Sequence, residues 1–213
     1  MKMCISAILV ILSSLSLNAQ NKSSQDEKKG YVGLSIGVNI PSGGFGNNTD
    51  VGYTFNVNGG YLLHKRIGIA ATYYTSDLST SFHGLPNYYD DDDDANFSLK
   101  GFMVGPLFSY PIKQTPFTVD AKLLVGMSHG ELPDHYEYLH NSKEDFNAFS
   151  YGGGISFKWN CIPQVALSLN YDLISMRPNL DRKSYWQTPN QVAQLGKHSF
   201  TNSLISIGGA YRF

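Results

Sequence analysis

The chain has 213 residues, enough for one sizeable domain, with 16 Lys and Arg against 17 Asp and Glu and a formal net charge of -1. Only 15% of residues are charged, against about 25% in an average soluble domain, while Gly (21) and Tyr (14) are plentiful. Nothing in this balance offers the basic surface that a nucleic acid would need, so no nucleic-acid partner is expected.

Residues 1–19 carry Lys2, an apolar core from Ile5 to Leu12, and a small-residue cleavage pattern at Leu17-Asn18-Ala19. This is the layout of a secretory signal, and its apolar run falls well short of the ~20 residues of a membrane-crossing helix. Cys4 comes too early, ahead of the apolar core, to serve as a lipidation site. Cleavage after Ala19 leaves fifteen basic against seventeen acidic side chains. It also leaves Cys161 as the mature chain's single thiol, which excludes an intramolecular disulfide. Residues 20–29 are polar without an apolar period and are expected to form a short tail; residues 30–213 form the expected domain.

From Tyr31 the pattern alternates. Val32, Leu34, Ile36, Val38 and Ile40 share one face, with Gly33, Ser35, Gly37 and Asn39 on the other, which is the period of a strand. A second strand places Val51, Tyr53, Phe55, Val57 and Tyr61 on the apolar face, and a third Ile67, Ile69, Ala71 and Tyr73. A fourth has Phe102, Val104, Pro106, Phe108 and Tyr110, and a fifth runs from Phe117 through Val119, Ala121, Leu123 and Val125 to Met127. Phe149, Tyr151, Ile155, Phe157 and Trp159 mark the sixth, Val165 to Leu173 the seventh, and the eighth spans about Ser199 to Phe213. Short turns at 63–66, 111–116 and 160–163 alternate with longer polar segments at about 41–50, 77–96, 129–147 and 176–197. Short connections at one end, long ones at the other and both termini at the short-turn end are the layout of an outer-membrane barrel.

A soluble sandwich or lipocalin-like barrel would also alternate, but it would carry Lys, Glu and Asp on its wet face. Here the polar face is mainly Gly, Ser, Thr and Asn, and the apolar face is long, aromatic-edged and nearly free of charge. Asp120, Lys122, Lys158, Asp172 and Arg212 all fall on the small polar face, which turns the apolar face outward to lipid. Lys100 alone has outward parity, close enough to a strand end for its stem to snorkel, unless a bulge reverses the register.

The end of the chain, SIGGAYRF, with Gly208, Tyr211 and Phe213, resembles the signal read by the barrel assembly machinery of Gram-negative bacteria. With the leader and eight amphipathic strands, residues 30–213 resemble the small eight-stranded outer-membrane β-barrels of the OmpA/OmpX type. The resemblance implies an all-β, antiparallel up-and-down transmembrane barrel with periplasmic termini, surrounded by outer-membrane lipid and lipopolysaccharide. No second domain is expected, so the peptidoglycan-binding role of longer family members is not carried over.

Eight strands enclose an interior that side chains can fill. The five lumen charges are expected to form a polar plug, with Asp120 and Lys122 neighbours on one strand face. A Ser/His hydrolase needs the hydroxyl against the imidazole. Ser128 and His129, like His198 and Ser199, are consecutive and point to opposite faces of a strand, so no such pair is expected. The third long segment holds His129, Glu131, Asp134, His135, Glu137 and His140, a zinc-capable set without a usual spacing. Asp90, Asp91, Asp92, Asp93 and Asp94 lack the spaced ligands and turn glycine of a calcium loop; they read as a hydrated acidic tip, with weak divalent binding beside lipopolysaccharide phosphates as the other option. Tyr136, Tyr138, Tyr185 and Trp186 add aromatic tips suited to protein or glycan contact.

The functional expectation is a non-enzymatic barrel with external segments for surface interaction or adhesion and no cofactor. A lipid A-modifying enzyme and a small or gated channel are the alternatives.

Overall fold

The computed structural model describes residues 28–42, 50–80, 95–131, 145–178 and 200–213. These form eight strands: β1 (Gly30–Ser42), β2 (Gly52–Leu62), β3 (Ile67–Thr80), β4 (Ala95–Pro111), β5 (Phe117–Glu131), β6 (Asp145–Ile162), β7 (Val165–Pro178) and β8 (Phe200–Arg212). Each pairs antiparallel with the next, and β8 returns to β1, from Tyr31 opposite Arg212 to Ser42 opposite Thr201. Closure leaves no open edge, which is what a sheet needs where no water can satisfy its backbone.

The alternation read from the sequence sorts side chains between wall and lumen. Leu34, Ile36, Leu123, Ile155 and Ile207 stand outward, each more than half exposed, while Ser35, Asn56, Thr72, Lys122 and Asn170 are buried inside. An apolar wall that encircles a molecule has no soluble rationale, because patches beyond a few hundred Å² already mark a contact surface. Here the contact is lipid. No helix among the described residues is long and apolar enough to cross a membrane; the crossing is made by strands.

One expectation is corrected. The strands run further toward the long connections than the apolar pattern indicated: β3 continues to Thr80, β4 starts at Ala95, β5 reaches Glu131, β6 starts at Asp145 and β7 reaches Pro178. The reason is an inversion of phase. Along β3 the outward residues change from Ile67, Ile69 and Tyr73 to Thr75 and Asp77, while the inward ones change from Gly68 and Thr72 to Tyr74 and Leu78. β4 repeats this, with Lys100 and Ser98 outward and Leu99 and Phe97 inward. Above the hydrocarbon the outside is wet and the inside becomes the dry core, so apolar residues change faces. A reading anchored on the lipid-facing stripe therefore ends strands too early.

Candidate functional site

The lumen has two layers. At the turn end, Lys158 Nζ donates to Asp120 Oδ2 at 2.6 Å, and Ser109 Oγ donates to Asp120 Oδ1 at 2.6 Å. The same ammonium lies 2.9 Å from the centroid of the Tyr31 ring, a cation–π contact that stabilises a charge withdrawn from water. Above it, Lys122 Nζ stands 2.9 Å from Asp172 Oδ1 and 3.1 Å from Oδ2, and it also donates to Thr72 Oγ1 at 3.2 Å and Asn58 Oδ1 at 3.4 Å. Both pairs are nearly fully enclosed, so their stability depends on these additional hydrogen bonds.

Asp120 and Lys122, neighbours on β5, thus do not pair with each other; each takes a partner from another strand. Arg212 lines a small cavity of about 40 Å³ at the turn-end mouth, with Lys28, Lys158 and Asp120. Lys28 Nζ donates to the Arg212 carbonyl at 3.0 Å. Partial burial and the nearby guanidinium lower the pKa of the Lys28 ammonium below its usual value.

Inward glycines make these contacts possible. Lys122 on β5, Gly154 on β6 and Asp172 on β7 lie directly abreast, so the ion pair passes over β6 at a position with no side chain. A Cβ on Gly154 would strike the Asp172 carboxylate and the Lys122 stem. Tyr74, Gly101 and Ser128 repeat the device across β3, β4 and β5: the Tyr74 ring lies over Gly101, and its hydroxyl meets Ser128 Oγ at 2.5 Å. Ser128 Oγ is also 2.5 Å from Ser150 Oγ. Sequence reasoning had counted these glycines only as part of a small polar face. An inward glycine with large or charged residues abreast on the neighbouring strands is the signal that would have revealed the cross-strand contacts.

The loop-end layer is apolar. Leu78, Phe97, Leu99, Phe146, Met176 and Phe200 are all at most 4% exposed. Phe146 stacks on Phe97 at 6.1 Å between centroids and meets Phe200 edge-on at 6.0 Å, and its ring covers Gly130. With Leu78, Leu99 and Met176 these rings form part of one buried apolar cluster inside the barrel. Sequence reasoning missed it, because Leu78, Phe97, Phe146 and Met176 fell at or beyond the expected strand ends.

Outside the same level is a polar collar. Lys100 Nζ donates to Glu131 Oε1 at 2.9 Å, and His129 Nε2 lies 3.8 Å from the same oxygen. His129 Nδ1 and Asn147 Oδ1 are 3.1 Å apart. The register runs unbroken past Lys100, so it faces outward without a bulge. His129 and Glu131 belong to β5 and not to a loop, and Ser128 and His129 occupy opposite faces, lumen and collar. Asp134, His135, Glu137, His140, Tyr136, Tyr138, Tyr185, Trp186, His198, Ser199 and the run Asp90 to Asp94 lie outside the described residues.

A closed eight-stranded antiparallel barrel, lipid-facing without and filled within, defines the class of small outer-membrane barrels. The model of the outer membrane protein beta-barrel domain matches residues 7–213, and the chain belongs to that family. That membership places it in the outer membrane of a Gram-negative bacterium. No curated protein matches the chain. Among solved structures it is similar to Neisserial surface protein A, with a TM-score of 0.58 at 13% identity, covering 86% of this chain and 97% of that one. It is also similar to the attachment invasion locus protein Ail of Yersinia pestis, solved with the heparin analogue sucrose octasulfate (TM-score 0.51, 17% identity, 87% and 99% covered). OprG of Pseudomonas aeruginosa gives a TM-score of 0.51 at 11% identity, with 89% and 98% covered.

At such identities these likenesses speak to the fold. Gly208 and Tyr211 lie on β8, Gly208 facing Ser35 and Tyr211 paired with Val165 and Val32, and Phe213 follows the strand, exchanging backbone hydrogen bonds with Gly30 at 3.0 and 2.9 Å.

Proposed function

We propose that this protein is a non-enzymatic outer-membrane barrel that presents its long connecting segments outward for contact with a neighbouring protein, a glycan or lipopolysaccharide. Its termini and short turns face the periplasm. The observation that carries this reading is the filled lumen. Two enclosed ion pairs occupy the turn-end half and a buried cluster of phenylalanine, leucine and methionine fills the loop-end half, which points to the outer segments as the binding surface. The role of Asp120, Lys122, Lys158, Asp172 and Arg212 is structural on this reading, a polar plug that holds the strands around it.

The geometry around Ser128 supports the non-enzymatic reading. Its hydroxyl is committed to Tyr74 and Ser150 inside the lumen, while His129 stands in the collar beside Asn147. A leader ending at Ala19, a tail of residues 20–29 and recognition of Gly208, Tyr211 and Phe213 by the assembly machinery complete the proposal, as does a hydrated Asp90 to Asp94 tip.

Orientation and activity are tested separately. Cys161, exposed at the end of β6 beside the β6–β7 turn, is expected to resist a membrane-impermeant maleimide on intact cells and to react once the outer membrane is permeabilised. Labelling of intact cells would invert the barrel. Mass spectrometry of lipid A with and without the protein is expected to show the same acylation; a changed acyl pattern would replace the proposal with the enzyme. Steady conductance in a planar bilayer would replace it with the channel. Purified barrel is expected to retain glycan or surface protein through its outer segments, and a variant with residues 81–94 and 132–144 shortened to tight turns is expected to lose that binding.

A further inference from the structure

Two of the three short turns carry cations, and none carries a carboxylate. His64, Lys65 and Arg66 occupy the β2–β3 turn and Lys113 the β4–β5 turn, and none of the three turns contains Asp or Glu. Among the described residues, Asp120, an acid near this end, faces the lumen and is held by Lys158 and Ser109. None of the ion pairs among the described residues involves Lys65, Arg66 or Lys113.

Arg66 is positioned. Its carbonyl accepts from Ser109 N at 2.8 Å, which ties the turn to β4, and its guanidinium carbon stands 4.9 Å from the Tyr110 ring centroid. Tyr110 is outward and half exposed, at the foot of the lipid-facing column of Phe108, Pro106, Val104 and Phe102; Ile67, the residue after Arg66, begins the same wall on β3. The guanidinium, over a ring at the foot of the lipid-facing wall, therefore lies where hydrocarbon gives way to headgroups. Because β3 and β4 are hydrogen-bonded neighbours, the turns that bear Lys65 and Lys113 are adjacent at the same end of the barrel.

We propose that Arg66, stacked on Tyr110 and flanked by Lys65 and Lys113, forms a docking site for the headgroup phosphate of an anionic phospholipid in the leaflet at the turn end. A planar guanidinium offers paired donors to a phosphodiester, and the two ammonium groups supply point charge from turns that hold no Asp or Glu. Clusters of basic residues at a membrane surface hold anionic lipid through this combination. The site does not depend on which way the barrel points, because the lipid-facing wall defines its depth from either side.

The test is lipid retention by the whole barrel, released from nanodiscs containing phosphatidylglycerol and phosphatidylcholine in equal parts and read by native mass spectrometry. Phosphatidylglycerol is expected to be retained in preference to phosphatidylcholine. The K65Q/R66Q/K113Q variant is expected to lower that preference at least ~10-fold, in line with the contribution of each basic residue near an anionic surface. Arg66→Lys should keep part of it, since charge remains and the planar stack does not. Lys100→Gln, at the opposite end, should change nothing, and heat-modifiable migration reports that every variant is folded. Equal retention of the two lipids by the native barrel would overturn the site. So would a triple variant that is folded and keeps the preference, or displacement of the lipid by glycerol phosphate at matched concentration, which would make it a site for free phosphate.

Discussion

The lumen at membrane depth and the lumen at the loop end solve opposite problems with the same period-two strand. At membrane depth the outside is hydrocarbon, so Val, Ile, Leu and aromatics face out and polar groups must satisfy one another inside, as Lys122 does with Asp172, Thr72 and Asn58. At the loop end the outside is wet, so Lys100, Glu131, His129 and Asn147 face out and Phe97, Phe146 and Phe200 pack inside. The difference teaches that polarity in a barrel follows the surrounding medium at each depth. A strand can reverse its apolar face without a bulge or a change in pairing.

The sharpest way to break this contrast is to remove one member of the central pair. Lys122→Met leaves Asp172 enclosed without a counter-charge and is expected to cost about 3 to 5 kcal/mol. Reversible urea unfolding in lipid vesicles measures it. The double variant K122M/D172L should recover most of the loss, and a double variant as unstable as the single one would show that packing, not the stranded charge, sets the cost.

In the apolar layer, Phe146→Ala should cost about 3 kcal/mol by cavity formation against Phe97 and Phe200. The same unfolding assay would count against a packed closure if the loss stayed below about 1 kcal/mol, the range of ordinary surface substitutions. Gly154→Ala sharpens the account of how the charged layer is built: a methyl between Lys122 and Asp172 is expected to cost about 1 to 3 kcal/mol as overpacking. Adding K122M to G154A should then cost less than K122M alone, because the ion pair is already displaced.

Lys100→Gln is the smallest expected effect. Both partners are more than one-third exposed, so loss of the Lys100–Glu131 pair should remain within about 1 kcal/mol and shrink further in high salt. A larger, salt-insensitive loss would mean that the collar is structural and not a hydrated rim.

Much of the fold was legible because lipid imposes a rule on every second residue. Val32 to Ile40 and Val165 to Leu173 show it without interruption, and the short turns at 63–66 and 160–163 mark where it is broken. The loop-end extensions were not legible by the same rule: in β3 the apolar residue moves from Tyr73 to Leu78, so the period persists while the face changes. The inward parity of Asp120, Lys122, Lys158 and Asp172 was legible, and all four are buried. Their pairing was not, because Asp120 and Lys122 are adjacent on one strand in the sequence yet each reaches a partner on a different strand.

The sequence by itself determined that this chain forms eight strands with a lipid-facing side, since alternation and the near absence of outward charge follow from residue order alone. Only the tertiary structure decided which inward groups meet. Closure brings β8 against β1, and lateral pairing sets Gly154 between Lys122 and Asp172 and Gly101 between Tyr74 and Ser128. Those contacts depend on the register of strands far apart in sequence, a quantity that a period of two leaves open.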